Sequence, residues 1–176
     1  MQLNLYELDF EPHPLYHVSP KTFDMPSYEM VDDARNWSHT HHNSVLGLWT
    51  STYPEMCSAF GPLTYEVHLK DQPIKRLGLS YEEWCKLGMH TLDYHQQFVT
   101  LRKHILENEI VDIIYIADAT KSVSEVIIVD FDVIDKLTVV DGVKNKAYKM
   151  LPTLKATVIS EDVINRCKLS YQSGIN

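Results

Sequence analysis

The chain predicts an α+β fold built on antiparallel or mixed β-sheets. Short runs rich in β-branched and aromatic residues recur through most of its length. One long segment, from Ser80 to Glu107, keeps apolar residues at helical spacing instead. The two kinds of segment fall in separate blocks, not in the strict strand–helix alternation of a parallel sheet.

The first strand is expected at P14-L-Y-H-V, followed by a weaker helix over P26-S-Y-E-M-V-D-D-A-R. A second strand, V45-L-G-L-W-T, runs through a turn into a short helix, Y53-P-E-M-C-S-A-F, which Gly61-Pro62 ends. L63-T-Y-E-V-H-L-K alternates cleanly. Its period of two puts Tyr65, Val67 and Leu69 on one face and Thr64, Glu66 and His68 on the other. The long helix opens with Ser80 and Glu83 spaced as a capping box, and Trp84, Leu87, Phe98, Leu101 and Ile105 mark its apolar side. Gly88 bends or splits it. V111-D-I-I-Y-I-A and E125-V-I-I-V-D are strands, and the unbroken V126-I-I-V within the latter reads as a central strand covered on both faces. Beyond Asp141 a helical or irregular K144-N-K-A-Y-K-M precedes a strand at A156-T-V-I and a polar end.

Composition narrows the function classes. A length of 176 residues fits a single domain spanning 1–176, with enough chain for a sizeable core. No apolar run reaches the length of a membrane span, and the polar start M1-Q-L-N-L-Y-E-L has no signal-peptide pattern. Cys57, Cys85 and Cys167 are an odd number without C-x-x-C spacing, so neither a disulfide framework nor a zinc site follows. A cytoplasmic protein without a membrane partner is the expectation. The formal net charge of −8 opposes phosphate-driven binding of nucleic acid. His39, His41 and His42 lie close together in W37-S-H-T-H-H-N-S44, but no second ligand pair elsewhere completes a metal set.

Three stretches carry chemistry. L15-Y-H-V-S-P20 puts His17 and Ser19 in a strand near the start of the chain. L46-G-L-W-T-S-T-Y-P-E-M-C-S-A-F-G61 sets Trp49 near a strand end and Phe60 eleven positions on, two rings able to frame a slot for a flat ligand. S122-V-S-E-V-I-I-V-D places Glu125 at the mouth of an apolar strand. Taken singly, each has a plain structural explanation: a packed histidine, two core rings, and a charge that blunts a strand edge.

In this order and spacing, the three stretches resemble the ADP-ribosyltransferases of the diphtheria-toxin and poly(ADP-ribose) polymerase type. That family has a histidine in an H-G-S or H-G-T step, two tyrosines eleven positions apart, and a glutamate opening a late strand. The resemblance covers roughly residues 14 to 137 and matches His17 and Ser19 to the first motif, with Val18 in place of its glycine. Trp49 and Phe60 stand where the family has its tyrosines, and Glu125 where it has its glutamate.

The resemblance implies an ADP-ribosyltransferase-like fold around an NAD cleft. It also implies an enzyme that moves ADP-ribose from NAD, as co-substrate, to a macromolecular acceptor and releases nicotinamide. Glu125 would be the catalytic residue, with His17, Val18, Ser19, Asn43, Trp49, Thr50 and Phe60 holding NAD. Val123 stands where arginine-modifying relatives carry a carboxylate, so arginine is not the expected acceptor and transfer of a single ADP-ribose is the simpler reading. A protein acceptor fits the acidic chain better than a nucleic acid, and the compact length fits a phage or bacterial effector. The alternative from another class is a non-catalytic NAD- or ADP-ribose-binding module, or an inhibitory interaction protein, with the same fold.

Overall fold

The computed structural model describes residues 14–33, 45–52, 60–81, 84, 94–117 and 123–140. The strands are β1 (Leu15–Ser19), β2 (Leu48–Ser51), β3 (Leu63–Leu69), β4 (Arg76–Ser80), β5 (Ile113–Ala117), β6 (Val123–Ile128) and β7 (Ile134–Val139). Two α-helices, α1 (Tyr28–Asp33) and α2 (Tyr94–Glu107), and a 3-10 helix at Phe131–Val133 complete the described elements. The seven strands form one sheet in the order β4-β5-β6-β2-β1-β3-β7. Five of the neighbouring pairs are antiparallel; β4 and β5 are parallel. Parallel neighbours need a long crossover, and α2 lies in the connection between them. The class is α+β on a mostly antiparallel sheet.

Register assigns the faces. Ile116, Glu125, Ser51, Tyr16, Glu66 and Thr138 are paired in turn across six strands, so they form one row on one face. On that face Leu77, Leu79, Ile114, Ile116 and Ile127 pack with Trp84 and with Phe98, Val99 and Ile105 of α2. The opposite face carries Leu15, Leu48, Val67, Ile113, Tyr115, Val126 and Ile128, closed by Phe131, Val133 and Ile134. β6 therefore sits between two apolar layers, and Val126 through Val129 have no exposed surface, as the unbroken apolar run predicts. The expected alternation in β3 also holds, with Tyr65 and Val67 buried and Glu66 and His68 half-exposed.

The described elements differ from the sequence pattern in places. Ser80 ends strand β4 and stands directly ahead of helical Tyr81; α2 runs from Tyr94 to Glu107, and Gly88, where the sequence predicts a bend or split, lies outside the described residues. The five residues R76-L-G-L-S, with a glycine at the centre, have little strand signal of their own; pairing with β5 along their whole length makes them a strand. Val45 and Leu46 form a 3-10 turn, leaving β2 to begin at Leu48. β7 has no period of two because the β3 register shifts between His68 and Leu69.

Gly47, in the turn before β2, is required by space. A Cβ there would run into the backbone carbonyl of Ile128 on β6. Gly47→Ala forces β2 away from β6, and overpacking against backbone costs roughly 1–3 kcal/mol. Thermal unfolding should show a melting point lower by several degrees; an unchanged melting point would contradict the close approach.

Candidate functional site

The three motif stretches fall on three neighbouring strands at the centre of the sheet: His17 on β1, Trp49 on β2, Glu125 on β6. The seam between β1 and β2 differs from those on either side. β1 pairs with β3 at five positions and β2 with β6 at four, whereas β1 and β2 are in register only at Tyr16↔Ser51. Beyond that pair, towards Ser19, the ladder between β1 and β2 stops.

The imidazole of His17 bonds to β2 where this ladder stops. Its Nδ1 lies 2.7 Å from the Trp49 carbonyl oxygen. A carbonyl oxygen only accepts, so Nδ1 carries the proton and donates. Burial lowers the His17 pKa below 6.5, and the bond to Trp49 opposes this only in part. The ring is therefore neutral near pH 7, and Nε2 is an acceptor. Phe23 packs edge-on against the ring at 5.6 Å and leans on Tyr65 at 4.9 Å. Folding in this neutral form is fully favourable above pH 6.5, and the contribution is lost as pH falls through the lowered value.

Glu125 shares its face with Tyr16, Ser51 and Trp49, since Ser51↔Glu125 and Trp49↔Ile127 are paired positions two apart. It is half-buried, and desolvation raises its pKa above 4.5. The sign is opposite to that of His17: its contribution to stability is present below pH 4.5 and fades as pH rises through the raised value.

A β-bulge sets the aim of Glu125. Ile116 pairs with Glu125, but Ala117 pairs with Val123, so Ser124 is an extra residue on β6. Val123 and Glu125, two apart, would share a face in a regular strand. Instead Val123 packs in the layer with Ala117 and Val126, while Glu125 stays in the row with Ser51.

The remaining expected residues are placed as follows. Val18 is buried within β1 opposite Thr64. The Ser19 hydroxyl donates to the Lys21 carbonyl at 2.7 Å and accepts from the Lys21 N–H at 3.2 Å, which makes a tight turn at the strand end. Phe60 is 46% exposed, and the chain at Gly61 packs so closely on the Ser19–Pro20 backbone that a Cβ would not fit. Phe60 thus stands beside the end of β1, which the chain at Gly61 packs against. Trp49 and Phe60 are not stacked on each other: the Trp49 ring meets Trp84 edge-on at 5.8 Å, drawn into the layer under α2. What Trp49 brings to the seam is its carbonyl. Thr50 is buried on the face opposite Glu125, and its hydroxyl donates to the Val126 carbonyl at 2.9 Å. Asn43 and the His39/His41/His42 group lie outside the described residues.

Sequence reasoning missed the row Tyr16–Ser51–Glu125, the bulge at Ser124 and Thr52, whose hydroxyl donates to the Val123 carbonyl at 2.9 Å. One signal was available: T50-S51-T52 is a run of three hydroxyl residues, all at most 3% exposed, in an otherwise apolar neighbourhood. Buried hydroxyls need partners, and those of Thr50 and Thr52 are on β6. No family model, no curated protein and no solved structure matches this chain.

Proposed function

We propose that the chain is an NAD-dependent mono-ADP-ribosyltransferase with an ADP-ribosyltransferase-like fold, whose nicotinamide end of NAD enters the seam between β1 and β2. One observation carries the reading. The three residues the chemistry needs sit on three adjacent strands, β1, β2 and β6, where the central ladder holds at one pair only. Neighbouring strands are about 4.8 Å apart, so the backbones at Tyr16 and Glu125 are roughly 10 Å apart, within reach of one dinucleotide. By alternation His17 and Glu125 point to opposite faces, not to the two sides of one cleft, so a ligand that touches both has to pass between β1 and β2.

Each residue has a role its environment suits. His17 Nε2 accepts from a ribose hydroxyl, while Nδ1–H holds the ring on Trp49. Backbone groups of Val18 and Ser19, at the end of β1 where the β2 ladder has stopped, serve the carboxamide. Phe60, exposed beside that end, offers its ring to the nicotinamide face. Breakage of the bond between nicotinamide and ribose leaves positive charge on the sugar, as in glycoside hydrolysis. The Glu125 carboxylate stabilises this charge from a partly desolvated position, where electrostatic interactions are strong. The acceptor's nucleophilic atom then bonds to the ribose carbon and gives up its proton, and nicotinamide departs with the bonding pair.

The reading is tested with NAD labelled in its adenylate half, mixed with the protein and a cell lysate. Label is expected on macromolecules, with release of nicotinamide. Binding of intact NAD without cleavage would instead identify a non-catalytic NAD-binding module. Glu125 must be ionised to act, so the rate should rise with pH along an acid limb centred above 4.5. A pH–rate profile of NAD cleavage checks this; a flat profile down to pH 4 would remove Glu125 from the chemistry.

A further inference from the structure

We infer that Thr50 and Thr52 are positioning residues that clamp β6 on either side of the bulge and so fix the direction of Glu125. The Thr52 hydroxyl holds the Val123 carbonyl and the Thr50 hydroxyl holds the Val126 carbonyl, each at 2.9 Å. Between these two anchors lie only Ser124, the inserted residue, and Glu125. A bulge breaks the regular ladder, so backbone pairing alone defines the local direction of the strand poorly. Two side-chain bonds, one from β2 and one from the residue just past its end, restore what the ladder loses.

Burial sharpens the geometry. Thr50 and Thr52 are 2% and 3% exposed, so each hydroxyl needs its carbonyl partner as much as the carbonyl is held by it. Both lie on the face away from Glu125, by the register of Thr50 with Val126 and the packing of Val123. Their hydroxyls are bonded to β6 carbonyls on the side away from the carboxylate. Their effect reaches Glu125 only through the backbone of residues 123–126.

The inference rests on the transferase reading for its kinetic arm, so the test has a second arm that does not. Thr52→Val keeps the shape and removes the hydroxyl; Thr52→Ser keeps the hydroxyl. For NAD cleavage, Thr52→Val should lower kcat about tenfold to a hundredfold, the scale of a slightly misplaced catalytic group, with KM for NAD within about twofold. Thr52→Ser should recover most of the rate. Independently, the Glu125 carboxyl carbon, followed by NMR against pH, should titrate at a displaced midpoint in Thr52→Val and at the wild-type midpoint in Thr52→Ser. Should Thr52→Val fail to fold, Thr50→Val and Thr50→Ser provide the same comparison. A valine variant with wild-type kcat and an unmoved Glu125 midpoint overturns the inference. If the wild type cleaves no NAD, the transferase reading fails, and the NMR titration still decides whether the threonines set Glu125.

Discussion

On the proposed reading, Glu125→Gln should fold, melt at or above the wild-type temperature near pH 7, and lower ADP-ribose transfer at least about 100-fold. The two halves of this expectation come from one cause. Desolvation raises the Glu125 pKa, so the ionised carboxylate is held at a cost to stability at neutral pH. An amide of almost the same shape removes that cost and with it the charge that the proposal sets against the cation developing on the ribose. A carboxylate that only blunted a strand edge would give a different result, with no loss of activity on replacement. Circular dichroism melting, beside a nicotinamide-release assay, reads both halves. Turnover close to wild type would remove Glu125 from the catalytic role.

His17→Ala should weaken NAD binding by about tenfold or more while lowering the melting point only by a few degrees. The variant loses the bond to the Trp49 carbonyl and the edge contact with Phe23, so some loss of stability follows from structure alone. It also loses the acceptor at Nε2, which the proposal gives to a ribose hydroxyl. Calorimetric titration separates the two: a purely structural histidine would leave the NAD affinity unchanged. The pH dependence provides a second mark. Wild-type stability should fall on acidification below pH 6.5 as the buried ring is forced to take a proton, and His17→Ala should lack that part of the decline.

The sequence shows the β-rich class, the central strand and the facing of β3 because each follows from short-range pattern. V126-I-I-V announces burial on both sides, and T64-Y-E-V-H-L announces one buried face. β4 does not show itself, because a five-residue run with Gly78 at its centre becomes a strand only through β5. The fate of Trp49 is equally non-local. Its spacing from Phe60 suggests a pair of facing rings, yet Trp84, thirty-five positions later in the chain, takes the indole edge-on. The bulge at Ser124 is invisible for a related reason: one extra residue on β6 is defined only against the count on β5. His17 is the case in between. Its place in a strand is legible, but its bond to a carbonyl on the next strand depends on a seam that only the assembled sheet contains.

On the proposed reading, the nicotinamide riboside end of NAD lies in the seam between β1 and β2, with its ribose against residue 125. The crystal structure of the Glu125→Gln variant with NAD tests it most directly, since that variant should hold the intact dinucleotide. The expected complex has the carboxamide on backbone groups of Val18 and Ser19, a ribose hydroxyl on His17 Nε2, and the ribose of the nicotinamide end within hydrogen-bond distance of Gln at position 125. NAD bound elsewhere on the sheet, or a crystal grown in saturating NAD with nothing in that seam, would contradict the account.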